Sequence, residues 1–175
     1  MATYKIDPGH SEIQFKVKHM MITNVNGQFT QFDGSLTADA ADFSDAQINF
    51  EAAIDSINTH NEQRDAHLKS EDFFNAAEFP KLTFVSSSFK KITDEQYQLN
   101  GVLTIRGISK PVVLDVEYGG TMTDPWGQVK AGFEINGKIS RKEFDLKWNA
   151  VTEAGGVVVA DEIKLHLGVQ LVKQG

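Results

Sequence analysis

The chain contains no cysteine, which excludes disulfide bonds and thiol nucleophiles and leaves its redox compartment open. It also lacks any long hydrophobic run. Lys5, Asp7, His10, Glu12, Lys16 and Lys18 punctuate its N-terminal region, so neither the apolar core of a signal peptide nor a membrane-spanning segment can be drawn there. Positive charge is in deficit: 17 Lys and Arg stand against 24 Asp and Glu, a formal net charge of −7. That balance argues against nucleic acid and anionic membrane surfaces as partners, because both repel an acidic protein. Arginine is scarcer still, with only Arg64, Arg106 and Arg141. No Pro-, Gly- or Ser-rich linker, low-complexity tract or internal repeat divides the 175 residues, a length that suits one domain over residues 1–175 with a sizeable core. On these absences the expectation is a soluble, cytoplasmic protein with no integral membrane association. A periplasmic protein whose export signal had been cleaved would read the same way.

What is present is alternation. Ile13, Phe15 and Val17 share one face of a strand, with Gln14, Lys16 and Lys18 on the other. Residues 46–57 place Ile48, Phe50, Ala52 and Ile54 together, and Leu82 and Phe84 open a further strand after Pro80. The same period of two runs through Tyr97, Leu99, Gly101, Leu103 and Ile105, then through Val112, Leu114, Val116 and Tyr118. It continues through Val129, Ala131, Phe133, Ile135, Gly137 and Ile139, and ends with Ile163, Leu165, Leu167, Val169 and Leu171. Such patterns mark strands with one buried face. Gly27, Phe29 and Gly34 lie in a less regular strand where glycine predicts bends or bulges. Turns are read at Thr93-Asp94-Glu95, Gly119-Gly120 and Asp124-Pro125-Trp126-Gly127. The sum is an all-β chain of about eight strands. Without helices to cross over, parallel units are excluded. A closed antiparallel barrel leaves no edges, and at this size it is either filled by side chains or holds one small ligand.

Residues 58–80 break the alternation. Thr59 and Glu62 fit a capping box, and Ser70 followed by Glu71 and Asp72 reads as a second N-cap. Pro80 ends the helical stretch. A short helical flap over about 59–75 that carries Phe73, Phe74 and Phe79 has little core of its own to fill. Those rings must enter the barrel, cap it or meet a partner subunit. The apolar run Met20-Met21-Ile22 after His19 is a second irregular element, fit either for the barrel mouth or for an end plug.

Catalytic and metal chemistry find little support. His10, His19, His60, His67 and His166 show no HExxH or HxH spacing. His10-Ser11 lacks the strand–turn–helix context of a nucleophile. For Arg106 and Arg141 a structural role, tying loops to acids or carbonyls, is the better-supported reading. For Arg64 that role and the binding of a polar headgroup stand equal.

The arginines sit in Arg64-Asp65-Ala66-His67-Leu68, Thr104-Ile105-Arg106-Gly107 and Ser140-Arg141-Lys142-Glu143-Phe144. Together with Ile6-Asp7-Pro8-Gly9-His10-Ser11, His19, Gly27-Gln28-Phe29, Ser56-Ile57-Asn58-Thr59, Asp72-Phe73-Phe74, Phe79-Pro80 and Lys110-Pro111-Val112, they resemble the YceI-like polyisoprenoid-binding family over nearly the whole chain. Tyr4 stands where members often have Trp, and Asp145 where the family pattern continues Phe-Gly. The resemblance implies a lipocalin-like barrel holding a long-chain isoprenoid or fatty lipid, such as a polyprenyl quinone or polyprenyl phosphate, with no other cofactor and no metal.

The inward faces then nominate Phe15, Val17, Phe29, Phe50, Ile54, Leu99, Leu103, Leu114, Phe133 and Leu165 as the pocket wall. Phe73, Phe74 and Met21 would close it, Arg64 or His67 would sit near the headgroup, and His19 is counted among the ligand-binding residues. Non-catalytic carriage or storage of the lipid is the expected function. Two alternatives stay open at this point: a solid-core interaction module that forms a homodimer through the flap, and an enzyme that modifies a lipid inside the barrel.

Overall fold

The alternation predicts paired strands, and a computed structural model, which describes residues 1–19, 22–146 and 159–174, shows how they close. In chain order the strands are β1 (Ala2–Ile6), β2 (Glu12–His19), β3 (Thr23–Phe29), β4 (Phe32–Ala38), β5 (Gln47–Ala53) and β6 (Ile57–Asn58). The helix α1 (Glu62–Lys69) follows, then β7 (Lys81–Lys91), β8 (Gln96–Ile105), β9 (Ile108–Thr123), β10 (Val129–Ser140) and β11 (Val159–Lys173). β1, β4, β5, β7, β8, β9, β10 and β11 pair in that order, and β1 pairs back to β11, so eight antiparallel strands form a closed ring. Closure satisfies the edge hydrogen-bonding groups that an open sheet would expose. No helix among the described residues is long and apolar enough to cross a membrane.

β2, β3 and β6 continue this ring beyond three bends. β11 carries β1 at Leu171–Lys173 and β2 from Val159 to Gly168 on the same edge, so β1 and β2 are two halves of one stave broken at Pro8–His10. β3 and β4 break at Thr30 and Gln31, and β5 and β6 at the 3-10 turn Ile54–Ser56. Bonds from the Thr30 amide to the Ser56 carbonyl (3.2 Å) and from the Ala53 amide to the Gln31 carbonyl (2.9 Å) stitch two of these breaks together. The alternation read through residues 46–57 therefore stops at Ala53.

Two further sequence readings are corrected here. Gly119 and Gly120 do not form a turn. They lie within β9, where the β9–β10 register shifts beside Gly132 and Phe133 and Gly120 has φ +115. At Gly27 the β2–β3 register runs unbroken, so no bulge is present. The glycine instead lets the ring of Phe15, its cross-strand partner, lie against the backbone. A side chain there would collide with that ring.

The core is the inside of the barrel. Ile13, Phe29, Leu36, Ala52, Leu82, Phe84, Leu99, Leu103, Leu114, Val116 and Phe133 are all buried, each on the inward parity of its strand. The two ends differ. At one, α1 and the turns after it lie over the barrel. At the other, rings of Tyr4, Phe43, Phe89, Tyr97, Tyr118 and Phe133 interlock.

Candidate functional site

Between the two ends the barrel is hollow. The cavity measures about 360 Å³, within the range of small-molecule pockets. Phe15 and Val17 of β2, Phe29 of β3 and Phe50 of β5 form one side of its wall. Leu99 and Leu103 of β8, Leu114 of β9 and Phe133 of β10 continue the wall round to Leu165 of β11, which pairs with Phe15. His19, Arg64, His67, Phe73 and Phe74 line it at the flap end. Ile54, expected among the wall residues, does not line it. The 3-10 turn takes Ile54 off the period of two and buries it in the bend. Met21, expected to close the mouth, lies outside the described residues.

The flap is shorter in helix than its start signals predict. The N-cap is Asn61, whose Oδ1 accepts the amide of Arg64 at 3.0 Å. The Thr59–Glu62 capping box does not form, because Thr59 is engaged elsewhere. Its hydroxyl and amide both donate to Asp65 Oδ1 (2.5 and 2.9 Å). Ser70 ends the helix rather than starting a second one; its hydroxyl donates to the carbonyl of His67 at 2.6 Å. The residues that follow form turns, and these drive Phe73 and Phe74 into the barrel, where both are buried. Phe74 meets Phe29 edge-on with centroids 6.2 Å apart. Phe79 stays outside the cavity, against Gly107 of the β8–β9 turn, where an added Cβ would lie 2.8 Å from its ring.

The polar groups at this end are mostly held by the protein itself. Arg64 donates from Nε to the Thr59 hydroxyl (2.8 Å) and from Nη2 to the Thr59 carbonyl (2.6 Å). His67 Nε2 lies 2.8 Å from Asp72 Oδ2, and the imidazole packs edge-on against Phe73. Arg106 donates from Nη1 to the carbonyls of Phe73 (2.9 Å) and Asp145 (3.1 Å), bridging flap and barrel. Arg141, only 3% exposed, lines the cavity while donating to the carbonyls of Ala160, Leu146 and Val159. Burial holds its guanidinium below the ordinary arginine value, against the opposing charge of Asp161. Burial also pushes Asp161 up, but hydrogen bonds from the Ser140 hydroxyl and the Lys142 amide, with nearby positive charge, bring it below the usual carboxylate range.

The sequence pattern of the YceI-like domain matches residues 4–171. The chain belongs to the YceI-like family. A UPF0312 protein of Photorhabdus laumondii is 42% identical over 148 residues, covering 83% of this chain and 77% of its own. The crystal structure of the Campylobacter jejuni YceI protein is similar at 35% identity and a TM-score of 0.78, with 90% of each chain covered. A polyisoprenoid binding domain from Saccharophagus degradans shares the fold at a TM-score of 0.69 and 12% identity, with 98% of each chain covered.

Within this YceI-like barrel the two departures from the family pattern have a local physical setting. Tyr4 packs edge-on against Phe43 at 5.4 Å. Asp145 has φ 60 and ψ 24, the left-handed conformation that glycine adopts without strain. Two features were not foreseen as parts of the site. Arg141 reaches the cavity although its sequence context reads as loop-tying, and it does both. The aromatic end also passed unseen, because Phe43 stands outside any alternating run and only the fold brings it to the rings of β7 to β10.

Proposed function

We propose that the barrel interior binds a long-chain amphiphile, an isoprenoid or a similar lipid, and that the protein carries or stores it rather than converting it. The observation that carries this reading is the cavity itself: closed by strands on its sides and by rings at one end, lined almost wholly by carbon, and capped by a flap. Each methylene moved from water into such a lining contributes about 0.8 kcal/mol. A tail of about a dozen carbons therefore gains on the order of 10 kcal/mol, part of which is offset by ordering the ligand and the flap. Thr59, Arg64, His67 and His19 border the cavity at the flap end, which supports a headgroup at that end and a tail directed inward. Binding rather than turnover is favoured because the guanidinium of Arg64 is bonded to Thr59, and the imidazole of His67 lies against Asp72 and Phe73. The name of the Saccharophagus degradans domain points to the same ligand class.

Native mass spectrometry of the purified protein, followed by solvent extraction, tests the proposal. A stoichiometric long-chain molecule that leaves on extraction is the expected result, and its mass separates a prenyl lipid from a fatty acid. A clean mass of the polypeptide alone, unchanged after incubation with prenyl quinones, prenyl phosphates and fatty acids, would overturn it.

A further inference from the structure

The deep end of the cavity is built as deliberately as the mouth. Phe89 of β7 and Phe133 of β10 are the rings that line its floor, 6.2 Å apart and edge-on. Behind them stand Tyr4, Phe43, Tyr97 and Tyr118, which do not line the cavity. Phe43 contacts Tyr4, Tyr118 and Phe133 with centroids 5.4, 5.6 and 5.6 Å away. Tyr97 stacks on Phe89 at 4.6 Å.

Phe43 does not belong to the wall. It enters from the connection between β4 and β5, with φ 63 and only 3% of its surface exposed. That connection is fixed from several sides. The Asp45 carboxylate accepts the amides of Asp39 and Ala40, both at 3.0 Å. The Tyr97 hydroxyl donates to the Asp42 carbonyl at 2.5 Å, and the Ala46 amide donates to the Phe43 carbonyl at 3.0 Å. A side chain held in the left-handed region at a backbone cost, by a loop this thoroughly bonded, acts as a wedge.

We infer that this aromatic plug is a chain-length stop, which makes the protein selective for amphiphiles by the length of their tails. The inference rests on the proposed lipid binding and adds its specificity. From Ile105 at the flap end to Leu99 beside the floor, β8 runs six residues, about 20 Å along the strand and roughly 15 Å along the barrel axis at a usual tilt. A tail that ends within this reach gains about fourfold in affinity for each added methylene. Once its end meets Phe89 and Phe133, further carbons stay outside and add nothing. Interlocked rings cannot yield one at a time, so the limit is sharp.

The test measures affinities for a homologous series of straight-chain carboxylic acids, from octanoic to docosanoic, by isothermal titration calorimetry on the full chain. Wild-type protein is expected to show a rise of about fourfold per methylene followed by a plateau. Phe43→Ala is expected to move the plateau to longer acids. Val112→Phe, which adds a ring to the wall opposite Gly101, is expected to move it to shorter ones. Phe133→Leu serves in place of Phe43→Ala if that variant does not fold, with a shift in the same direction. Opposite shifts from two substitutions separate a stop from general destabilisation. Binding that rises through the whole series without a plateau, or a plateau that both variants leave in place, overturns the inference. Failure of wild-type protein to bind any acid or any prenyl alcohol would instead remove the lipid reading on which it rests.

Discussion

Single residues in this barrel are constrained by what lies across the strand from them. Gly101 faces inward beneath the ring of Phe84, and an added Cβ would also lie 2.5 Å from the Val85 carbonyl oxygen. Backbone cannot swing aside as a side chain can, so Gly101→Ala is expected to destabilise the fold by about 1–3 kcal/mol, read as a lower denaturant midpoint with an unchanged slope. The alternation identified Gly101 as inward-facing, but it carried no sign of which ring would cover it. Asp45 acts through charge. Hydrogen bonds from the backbone amides of Ala40 and Asp39 hold its carboxyl below the usual carboxylate range, against the effect of burial. A carboxylate whose pKa is depressed by folding stabilises the folded state fully above its ordinary value, about 4, and that contribution is lost as pH falls below it. Asp45→Asn removes this titration, so thermal stability should fall less steeply with acid than in the wild type. An equally steep loss in both proteins would show that the loop around Phe43 does not depend on the charge.

At the scale of elements, the strands were the most legible part. Buried and exposed positions in β8, in β9 as far as Tyr118 and in β10 follow the period of two that Leu99, Leu103, Leu114 and Phe133 display in the bare sequence, while in β7 the bulge between Ser86 and Ser88 puts Phe89 out of step with Leu82 and Phe84. The bends were legible only in part: glycine flags the irregular stretch around Phe29 that breaks at Thr30 and Gln31, and nothing flags the one at Ile54–Ser56. Ile54 continues the apolar spacing of Phe50 and Ala52, and the hydrogen bonds of the 3-10 turn interrupt it, among them those that tie Thr30 to Ser56, Ala53 to Gln31 and the Ile54 amide to the Pro80 carbonyl. The flap was recognisable from its loss of alternation, while its caps were misassigned. Thr59 was spent on Asp65 and Arg64, a tertiary arrangement that local spacing does not reveal.

What anchors the flap is also remote from it in sequence. Arg106 occupies a two-residue turn with Gly107, both at positive φ (52 and 73), a geometry that asparagine tolerates well. Arg106→Asn therefore keeps the turn and loses the reach to the carbonyls of Phe73 and Asp145. The expected cost is about 1–3 kcal/mol for the loss of two hydrogen bonds from a charged donor. It should appear as faster amide hydrogen exchange over residues 70–79 and faster release of bound lipid, with the exchange of β8 and β9 unchanged. Slow exchange in the flap of this variant would show that Phe73 and Phe74 hold it without the arginine.

For the whole molecule, the hollow interior could not be read from composition. Twelve phenylalanines are as compatible with a filled barrel as with an empty one, and the difference lies in where the rings gather. Phe43, Phe89 and Phe133 cluster at one end and Phe73 and Phe74 descend from the other, while Phe15, Phe29, Phe50 and Phe84 lie along the wall, with Phe15 and Phe84 against the backbone of Gly27 and Gly101, so the axis stays open. The charge deficit has a counterpart in this arrangement: an acidic exterior is repelled by anionic surfaces while the apolar ligand site faces inward.

The ring is sealed by its first and last strands. Tyr4, Lys5 and Ile6 pair with Lys173, Val172 and Leu171, and the Gln174 amide donates to the Thr3 carbonyl at 2.8 Å. The junctions from β1–β4 round to β9–β10 join strands that precede β11 in the chain. The pairings of β1, β2 and β10 to β11 must wait for β11, so until it emerges from the ribosome β1 and β10 expose edges that the closed barrel hides. A nascent chain is thus most open to misassociation with its neighbours after β10 is made and before β11 pairs, and the five-residue strand β1 then offers a shorter edge than the twelve-residue β10.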